Sequence, residues 1–267
     1  MSLLGKVMLL ILKRPALIFG TICIFLLIIS IVVPAQRDEF SISSPSKEGD
    51  VTIPIIKFDP TDGTDDYLDR GASLTGIKNG KTGSISFWYR PVAKKTRQWI
   101  LTSSDDRISI RHDSNKRFIL SLRNAIGGYI FLAESSVLTP GELIHVFISW
   151  DLADFKGNLY INGVDKRYAL QFFNKEIEYN VSNWQVGNRV LVPQPFEGEL
   201  GQLWFTTEYV DPTISISKFY NNGTVDLGLD GSATTGIIPL IYLNNSPANW
   251  HKNLGTGGGF SLIGTLK

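Results

Sequence analysis

The amino-acid sequence predicts an all-β protein, a two-sheet antiparallel jelly-roll sandwich, preceded by one transmembrane helix. Short runs of alternating or β-branched and aromatic residues recur after residue 50, and Asp-Gly, Asn-Gly, Gly-Gly or Pro-Gly pairs separate them. Near the N-terminus, a long apolar run carries no charge. Many strands without an internal repeat favour a sandwich over a propeller.

The apolar run covers residues 16–33 and reads "ALIFGTICIFLLIISIVV". As a helix it would be about 27 Å long, which is close to the thickness of the hydrocarbon core of a bilayer. Basic residues precede it and the first acidic residue, Asp38, follows it, so the N-terminus is expected in the cytoplasm and the remainder outside. Two alternatives stay open, a signal peptide cleaved near Ala35 and a buried soluble helix.

Three segments follow from this division of the chain. Residues 1–34 are predicted to be the cytoplasmic N-terminus and the membrane anchor. Residues 35–50 are polar and contain proline and glycine, which is typical of a flexible stalk. Residues 51–267 are predicted to form one sandwich domain, because the last apolar segments, "IPLIYL" and "FSLIGTL", need partners in the main sheets.

Ten segments of the domain have the pattern of β-strands. In chain order they are "VTIPIIKF", "GSISFWYRP", "QWILTSS", "RISIRHD", "RFILSLR", "GYIFLAES", "IHVFISWD", "GNLYING", "NWQVGN" and "LGQLWFTT". The pair Asn162-Gly163 predicts a two-residue hairpin turn, since both residues tolerate positive φ. One short helix is expected in "DPTISISKFYNNG", capped by Asp211, opened by Pro212 and ended at Asn222.

Charge and cysteine content exclude several classes of protein. The chain has 26 Lys and Arg against 25 Asp and Glu, and three of the basic residues precede residue 34, so the domain is close to neutral at about −2. A near-neutral domain without a basic stripe is not expected to bind nucleic acid. The one cysteine, Cys23, lies in the apolar run, so the domain has neither an internal disulfide nor a thiolate metal site.

The ordered segments resemble the laminin G-like and pentraxin-like branch of the concanavalin A-like lectin/glucanase superfamily. The resemblance runs through "IIKFDPTDGTDDYLD", "GSISFWYRP", "WILTSSDD", "GELIHVFISWD", "GNLYINGV", "NWQVGN" and "FEGELGQLWFTTEYVD", from about residue 53 to residue 220. The tail resembles, more loosely, the closing segment of such domains in phage virion proteins. This resemblance implies a β-sandwich and, as one function, carbohydrate binding.

Two glutamates near the end of the resemblance, Glu197 and Glu199, raise the question of glycosidase activity. The glucanases of the superfamily carry three acidic residues at alternating positions of one strand, but Pro195 and Gly201 flank this pair. Alternation also places Leu200 and Trp204 on the face opposite the glutamates. The segment is therefore interpreted as a half-exposed structural strand.

The histidines offer no catalytic site in the sequence. His145 lies between apolar neighbours, and the domain has no G-x-S-x-G motif and no cysteine nucleophile. His112 and His251 lack zinc-type spacing. The protein is therefore predicted not to be an enzyme.

Acidic loops are candidates for calcium binding, because calcium takes hard oxygen ligands and the resemblance implies calcium at the rim of the sandwich. The alternative is ordinary turn chemistry, since Asp and Gly also build turns without a metal. The candidate ligands are Asp62, Asp65, Asp66, Asp105 and Asp106.

Aromatic residues decide whether sugar rings have a surface to stack on. Trp88, Trp150 and Trp204 lie within strand patterns and are predicted to be buried. Trp99 follows a charged loop, and Tyr129 and Trp250 lie beside turn residues, so these three are predicted to be exposed ligand contacts.

The sequence therefore predicts a membrane-anchored, surface-exposed, non-enzymatic module that recognises a glycan or a surface protein, in a viral or phage context as one option. The membrane contact would be residues 16–33, with the domain outside the cytoplasm or on a viral envelope. One alternative is a structural envelope or virion protein without a carbohydrate ligand, and another is a glycoside hydrolase.

Overall fold

The structure, a computed structural model, describes residues 52–92 and 97–267. The predicted anchor at residues 16–33 and the predicted stalk at residues 35–50 lie outside these ranges, so both stay predictions. Within the described ranges every helix is too short or too polar to span a bilayer.

The described residues form fifteen strands, one short α-helix and four 3-10 helices. The strands are β1 (Ile55–Phe58), β2 (Tyr67–Asp69), β3 (Thr82–Arg90), β4 (Gln98–Ser103), β5 (Ile108–His112), β6 (Arg117–Arg123), β7 (Tyr129–Val137), β8 (Ile144–Asp151), β9 (Lys156–Ile161), β10 (Val164–Asp165), β11 (Arg167–Phe172), β12 (Trp184–Val186), β13 (Gly198–Thr206), β14 (Ile241–Leu243) and β15 (Ser261–Ile263). The helix α1 spans Pro212–Ser215, and the 3-10 helices span Pro60–Asp62, Ser104–Asp106, Ile216–Lys218 and Pro247–Asn249.

Two antiparallel sheets make the sandwich that the sequence predicts. The seven-stranded sheet has the order β1-β13-β3-β8-β9-β10, and β14 pairs with β13 beyond the end of β1. The eight-stranded sheet has the order β11-β7-β6-β5-β4-β12-β2-β15. The two closing apolar segments join different sheets, since β14 pairs with β13 and β15 pairs with β2.

The main core lies between the sheets and is rich in aromatic side chains. Phe87, Phe118, Phe131 and Trp150 are fully or almost fully buried there, because alternate residues of each strand point inward. The Asn162-Gly163 turn joins β9 to β10 as predicted, with φ values of 49° and 71°.

A second apolar cluster covers the outer face of the seven-stranded sheet. Phe147, Trp204 and Tyr242 point outward from their strands and pack against Phe219 and Leu227 of the segment 207–237. The helix α1 in this segment begins as predicted, because Asp211 accepts a hydrogen bond from the Thr213 backbone N–H at 2.9 Å and caps the helix. One face of the sandwich is therefore closed by the chain itself.

A β-bulge in β13 changes which side of the sheet its residues face. The register of β13 against β3 shifts between Gly201 and Trp204, and Gln202 between them has φ of 46°. Leu200 points into the main core, but the extra residue reverses the alternation, so Leu203 points inward and Trp204 outward. The prediction that Leu200 and Trp204 share a face is wrong for this reason.

Candidate functional site

The two glutamates at the start of β13, Glu197 and Glu199, have different surroundings. Glu199 accepts a hydrogen bond from Arg90 Nε at 2.8 Å, in a cross-strand ion pair with β3. Glu197 precedes the strand, and its backbone N–H donates to Gln98 Oε1 at 2.8 Å. The Glu199 carboxylate thus has a structural partner across the sheet.

His145 is buried beneath the covering segment and is electrically neutral. Its Nε2 lies 2.8 Å from Ser86 Oγ, and its ring packs between Trp88 and Tyr220. Burial lowers the pKa of His145 to about 3. Among the described residues no group hydrogen-bonds its Nδ1, so the pair lacks the carboxylate that orients the histidine of a triad.

Two of the predicted calcium ligands already have protein partners. Asp66 is fully buried and accepts hydrogen bonds from the backbone N–H groups of Asp59 and Thr265 at 3.0 and 2.8 Å. Asp106 is almost fully buried and pairs with Arg189, whose Nη2 lies 2.6 Å from Oδ2. Both carboxylates therefore serve to fix the loops on which they lie.

The other three predicted ligands lie at the surface. Lys267 Nζ contacts Asp62 at 2.9 Å and lowers the pKa of that carboxyl group. Asp65 is exposed, and Asp105 is exposed on a turn with φ of 55°. In the part of the chain that the structure describes, no three His, Cys, Asp or Glu side chains converge as a metal site would require. Calcium binding stays a prediction.

Exposure was predicted wrongly for two of the three aromatic candidates. Trp99 is 3% exposed, because the loop at residues 188–194 covers it and Gln194 Oε1 accepts a hydrogen bond from its Nε1 at 2.5 Å. Trp250 is fully buried at the end of a 3-10 helix, where its ring packs edge-on against Phe58. Neither ring offers a face to a sugar in this conformation, so their predicted ligand contacts would need the cover to move.

Tyr129 is exposed as predicted, with 46% of its surface accessible. It begins β7 and lies opposite Arg123 of β6. The Arg123 guanidinium lies 4.5 Å from the centre of the tyrosine ring, and its Nη2 donates to Tyr129 Oη at 2.8 Å. The tyrosine is therefore held in place by a cation–π contact and a hydrogen bond.

The sheet around Tyr129 carries further polar groups on its outer face. Arg111 of β5 lies between Trp99 and Ile119 of the adjacent strands, and its Nη1 donates to Ser121 Oγ at 3.4 Å. Ser121 also hydrogen-bonds Ser109, with 2.5 Å between the two Oγ atoms. These outward residues of β5 and β6, together with Arg123 and Tyr129, form what we call the β5–β7 face.

A loop forms one border of the β5–β7 face. Asn188 accepts a hydrogen bond from Thr102 Oγ1 at 2.8 Å, and the Gln194 backbone N–H donates to Asn188 Oδ1 at 2.8 Å, so residues 188–194 lie across β4. The Arg189 guanidinium lies over the Trp99 ring, 4.7 Å from its centre, while Arg111 lies 5.4 Å from the same ring. On the β5–β7 face Tyr129 is exposed and Arg111 and Arg123 are partly exposed, whereas the neighbouring part of the sheet is covered.

Sequence reasoning missed the arginines, although the signal was present. In "RISIRHD" and "RFILSLR" the apolar residues alternate with Ser109, Arg111, Ser121 and Arg123, which alternation places on the side opposite the core. What the sequence could not supply was the pairing of β5 with β6 and of β6 with β7, which brings these residues together.

The fold and this face define a β-sandwich of the lectin type, with one outer face covered and the other partly open. Residues 62–212, more than half of the chain, match the family model for laminin G-like domains of the concanavalin A-like lectin/glucanases superfamily. The chain belongs to this superfamily, as the resemblance predicted. No curated protein matches it in sequence.

Solved structures with a similar fold differ widely in sequence. A heptameric SAP-like pentraxin from Limulus polyphemus is 16% identical with a TM-score of 0.47, over 63% of this chain and 82% of the pentraxin. The CBM40 of the Ruminococcus gnavus IT-sialidase, bound to sialyllactose, is 16% identical with a TM-score of 0.45, over 62% of this chain and 96% of the module.

The receptor-binding domain of botulinum neurotoxin D is 13% identical with a TM-score of 0.49, over 65% of this chain. The match spans 45% of that toxin chain. At these identities the likeness concerns the arrangement of strands only.

Proposed function

We propose that the domain is a non-enzymatic module that binds a glycan on the β5–β7 face. The observation that carries the proposal is the exposed Tyr129, held by Arg123 on the sheet, with the partly exposed Arg111 on the same face. Sugar-binding sites combine an aromatic surface for the ring with polar groups for the hydroxyls, and a sheet supplies both without reorganisation.

Two further observations support binding rather than catalysis. The superfamily includes lectins as well as glucanases, so the fold is compatible with either. Glu199 is paired with Arg90, and no carboxylate among the described residues orients the buried Ser86–His145 pair, so neither of these two arrangements favours hydrolysis or acyl transfer.

The cellular setting of the proposal rests on the sequence. Residues 16–33 would anchor the protein in a membrane and place the domain outside the cytoplasm, on a cell or a viral envelope. A shallow face binds one glycan weakly, so several anchored copies would be needed for tight adhesion.

A second candidate is a structural role in which the domain packs against protein and not against sugar. Exposed aromatic residues near the β11 edge of the sandwich favour it, since Phe155 is 59%, Tyr168 62% and Phe173 46% exposed. Edge strands with exposed apolar residues are common sites of association between chains.

A glycan array probed with the full chain in mild detergent, once in calcium and once in EDTA, tests the proposal. We expect defined glycan hits that weaken roughly fivefold on Tyr129→Ala, since one aromatic contact contributes about 1 kcal/mol. The control is Tyr168→Ala, which removes another exposed tyrosine stacked on an arginine, Arg117. An array without hits at high protein density would favour the structural role, and hits seen only in calcium would support the calcium prediction.

A further inference from the structure

The β5–β7 face has two arginines without an acidic partner. Arg111 and Arg123 form no ion pair with a carboxylate among the described residues, and the Nε–H of each is buried without a hydrogen-bond acceptor there. In the part of the chain that the structure describes, their side-chain acceptors are neutral hydroxyl oxygens, those of Ser121 and Tyr129. Each guanidinium carries further N–H groups that can bind an anion, because it stays charged at every physiological pH.

Two other arginines at this side of the sheet do pair with a carboxylate. Arg189 is held by Asp106 at 2.6 Å, and Arg117 lies 3.5 Å from Glu134 Oε2. The arginines at the borders of the face therefore have a carboxylate at ion-pair distance, whereas Arg111 and Arg123 have none among the described residues.

Arg111 has charged neighbours of both signs. Burial lowers the pKa of Arg111, Arg97 and Arg123 lower it as well, and Tyr129 and Asp113 raise it. A bound anion would offset the repulsion between Arg111 and its two cationic neighbours.

The two arginines have neighbouring positions on the face. Arg111 reaches Ser121, and Arg123 is the next outward residue after Ser121 on β6, about 7 Å along the strand from it. Two guanidinium groups on one face, with Tyr129 beside that of Arg123, fit acidic groups on one sugar or on adjacent sugars of a chain, with the ring against the tyrosine.

We propose that the β5–β7 face binds acidic glycans, whose carboxylate or sulfate groups pair with Arg111 and Arg123. This inference rests on the proposed function and specifies its ligand class. It assigns Arg111 and Arg123 to the charged group and Tyr129 to the sugar ring.

Matched polysaccharides test the ligand class directly. The full chain is measured by biolayer interferometry against hyaluronan and carboxyl-reduced hyaluronan, and against dextran sulfate and dextran. We expect binding to at least one acidic polymer of each pair to exceed binding to its neutral counterpart by about tenfold or more, and to weaken as salt rises. The first pair reports on carboxylates and the second on sulfates.

Variants locate the site. Arg111→Gln and Arg123→Gln are each expected to weaken binding to the acidic polymer about tenfold, since a charge-assisted hydrogen bond is lost. Arg111→Lys keeps the charge but not the fork of donors and should fall between Arg111→Gln and the wild type. Arg117→Gln is the matched control, because this arginine is on the same sheet and already paired, and we expect less than about a twofold change.

The outcomes separate the inference from the proposed function. Equal binding of neutral and acidic polymers, or equal losses in Arg117→Gln and Arg111→Gln, would overturn the acidic-ligand inference and leave glycan binding standing. Absence of binding to every polymer, together with an empty glycan array, would overturn both. The salt dependence of the wild type needs no variant, so a misfolded substitution cannot obscure the result.

Discussion

Removing the hydroxyl group from either of two buried tyrosines should change the stability of the protein in opposite directions. Tyr179 accepts a hydrogen bond from Trp150 Nε1 and donates to the backbone oxygen of Thr82, both at 2.8 Å. Tyr89 is equally buried in the main core, but its hydroxyl has no hydrogen-bond partner among the described residues. The change to phenylalanine is chemically the same at the two positions, so only the surroundings differ.

The expected magnitudes follow from these partners. Tyr179→Phe leaves one buried donor and one buried acceptor without partners, which costs about 2 to 4 kcal/mol of the free energy of unfolding. Tyr89→Phe removes a buried hydroxyl that has no hydrogen-bond partner among the described residues, so the free energy of unfolding should rise by about 1 kcal/mol. For a domain of this size 1 kcal/mol corresponds to roughly 2 to 4 °C, so the two variants should differ by about 6 °C or more in Tm.

Differential scanning calorimetry of the full chain measures this difference, with urea unfolding as a second readout. Any contribution from residues outside the sandwich is common to both variants and cancels in the comparison. If Tyr89→Phe lowers Tm as much as Tyr179→Phe, then the Tyr89 hydroxyl has a stabilising partner and the reasoning from burial is refuted.

Two further predictions concern the pH dependence and the packing of the sandwich. The pKa of His145 is about 3 in the folded protein and about 6.5 when unfolded, so the neutral histidine stabilises the fold above pH 6.5 and this contribution is lost as pH falls. Between pH 6 and pH 4 the free energy of unfolding should fall more steeply in the wild type than in His145→Phe, by about 1.4 kcal/mol per pH unit. Urea titrations at each pH would measure this difference. Equal dependence of the unfolding free energy on pH in the two proteins would contradict the prediction. Gly83→Ala should lower the free energy of unfolding by about 3 kcal/mol, because a Cβ there would overlap the Trp150 ring and lie 2.8 Å from Tyr179 Oη. The control is Gly80→Ala, since a Cβ at Gly80 has open space around it. In the same urea assay its free energy of unfolding should stay within about 0.5 kcal/mol of the wild type.

Local sequence patterns were sufficient for most of the strands, for one turn and for the start of one helix. All ten strand segments contain an observed strand, from β1 at Ile55–Phe58 to β13 at Gly198–Thr206. The Asn162-Gly163 turn and the start of α1 at Pro212 were also predictable, because each depends on residues that set the backbone locally. The short strand β2 was not foreseen, since it pairs with β12 and β15, which are distant in sequence.

The bulge at Gln202 shows why faces are harder to predict than strands. Glutamine gives no signal for positive φ, so nothing in "GELGQLWFT" marks the extra residue. One unmarked residue moved Trp204 to the other side of the sheet. The same limit applied to Trp99 and Trp250, because their covers come from the loop at residues 188–194 and from packing against Phe58, both remote in sequence.

The contrast between the two outer faces explains where a ligand has room. The seven-stranded sheet presents Phe147, Trp204 and Tyr242 outward, and these apolar side chains are stable only beneath the segment 207–237 that covers them. On the eight-stranded sheet Arg111 of β5 and Arg123 of β6 are partly exposed to water, whereas Ser109 and Ser121 of the same strands are buried. An arginine pair without carboxylates gains the most when an anion replaces that water, and this is why we place ligand binding on the β5–β7 face.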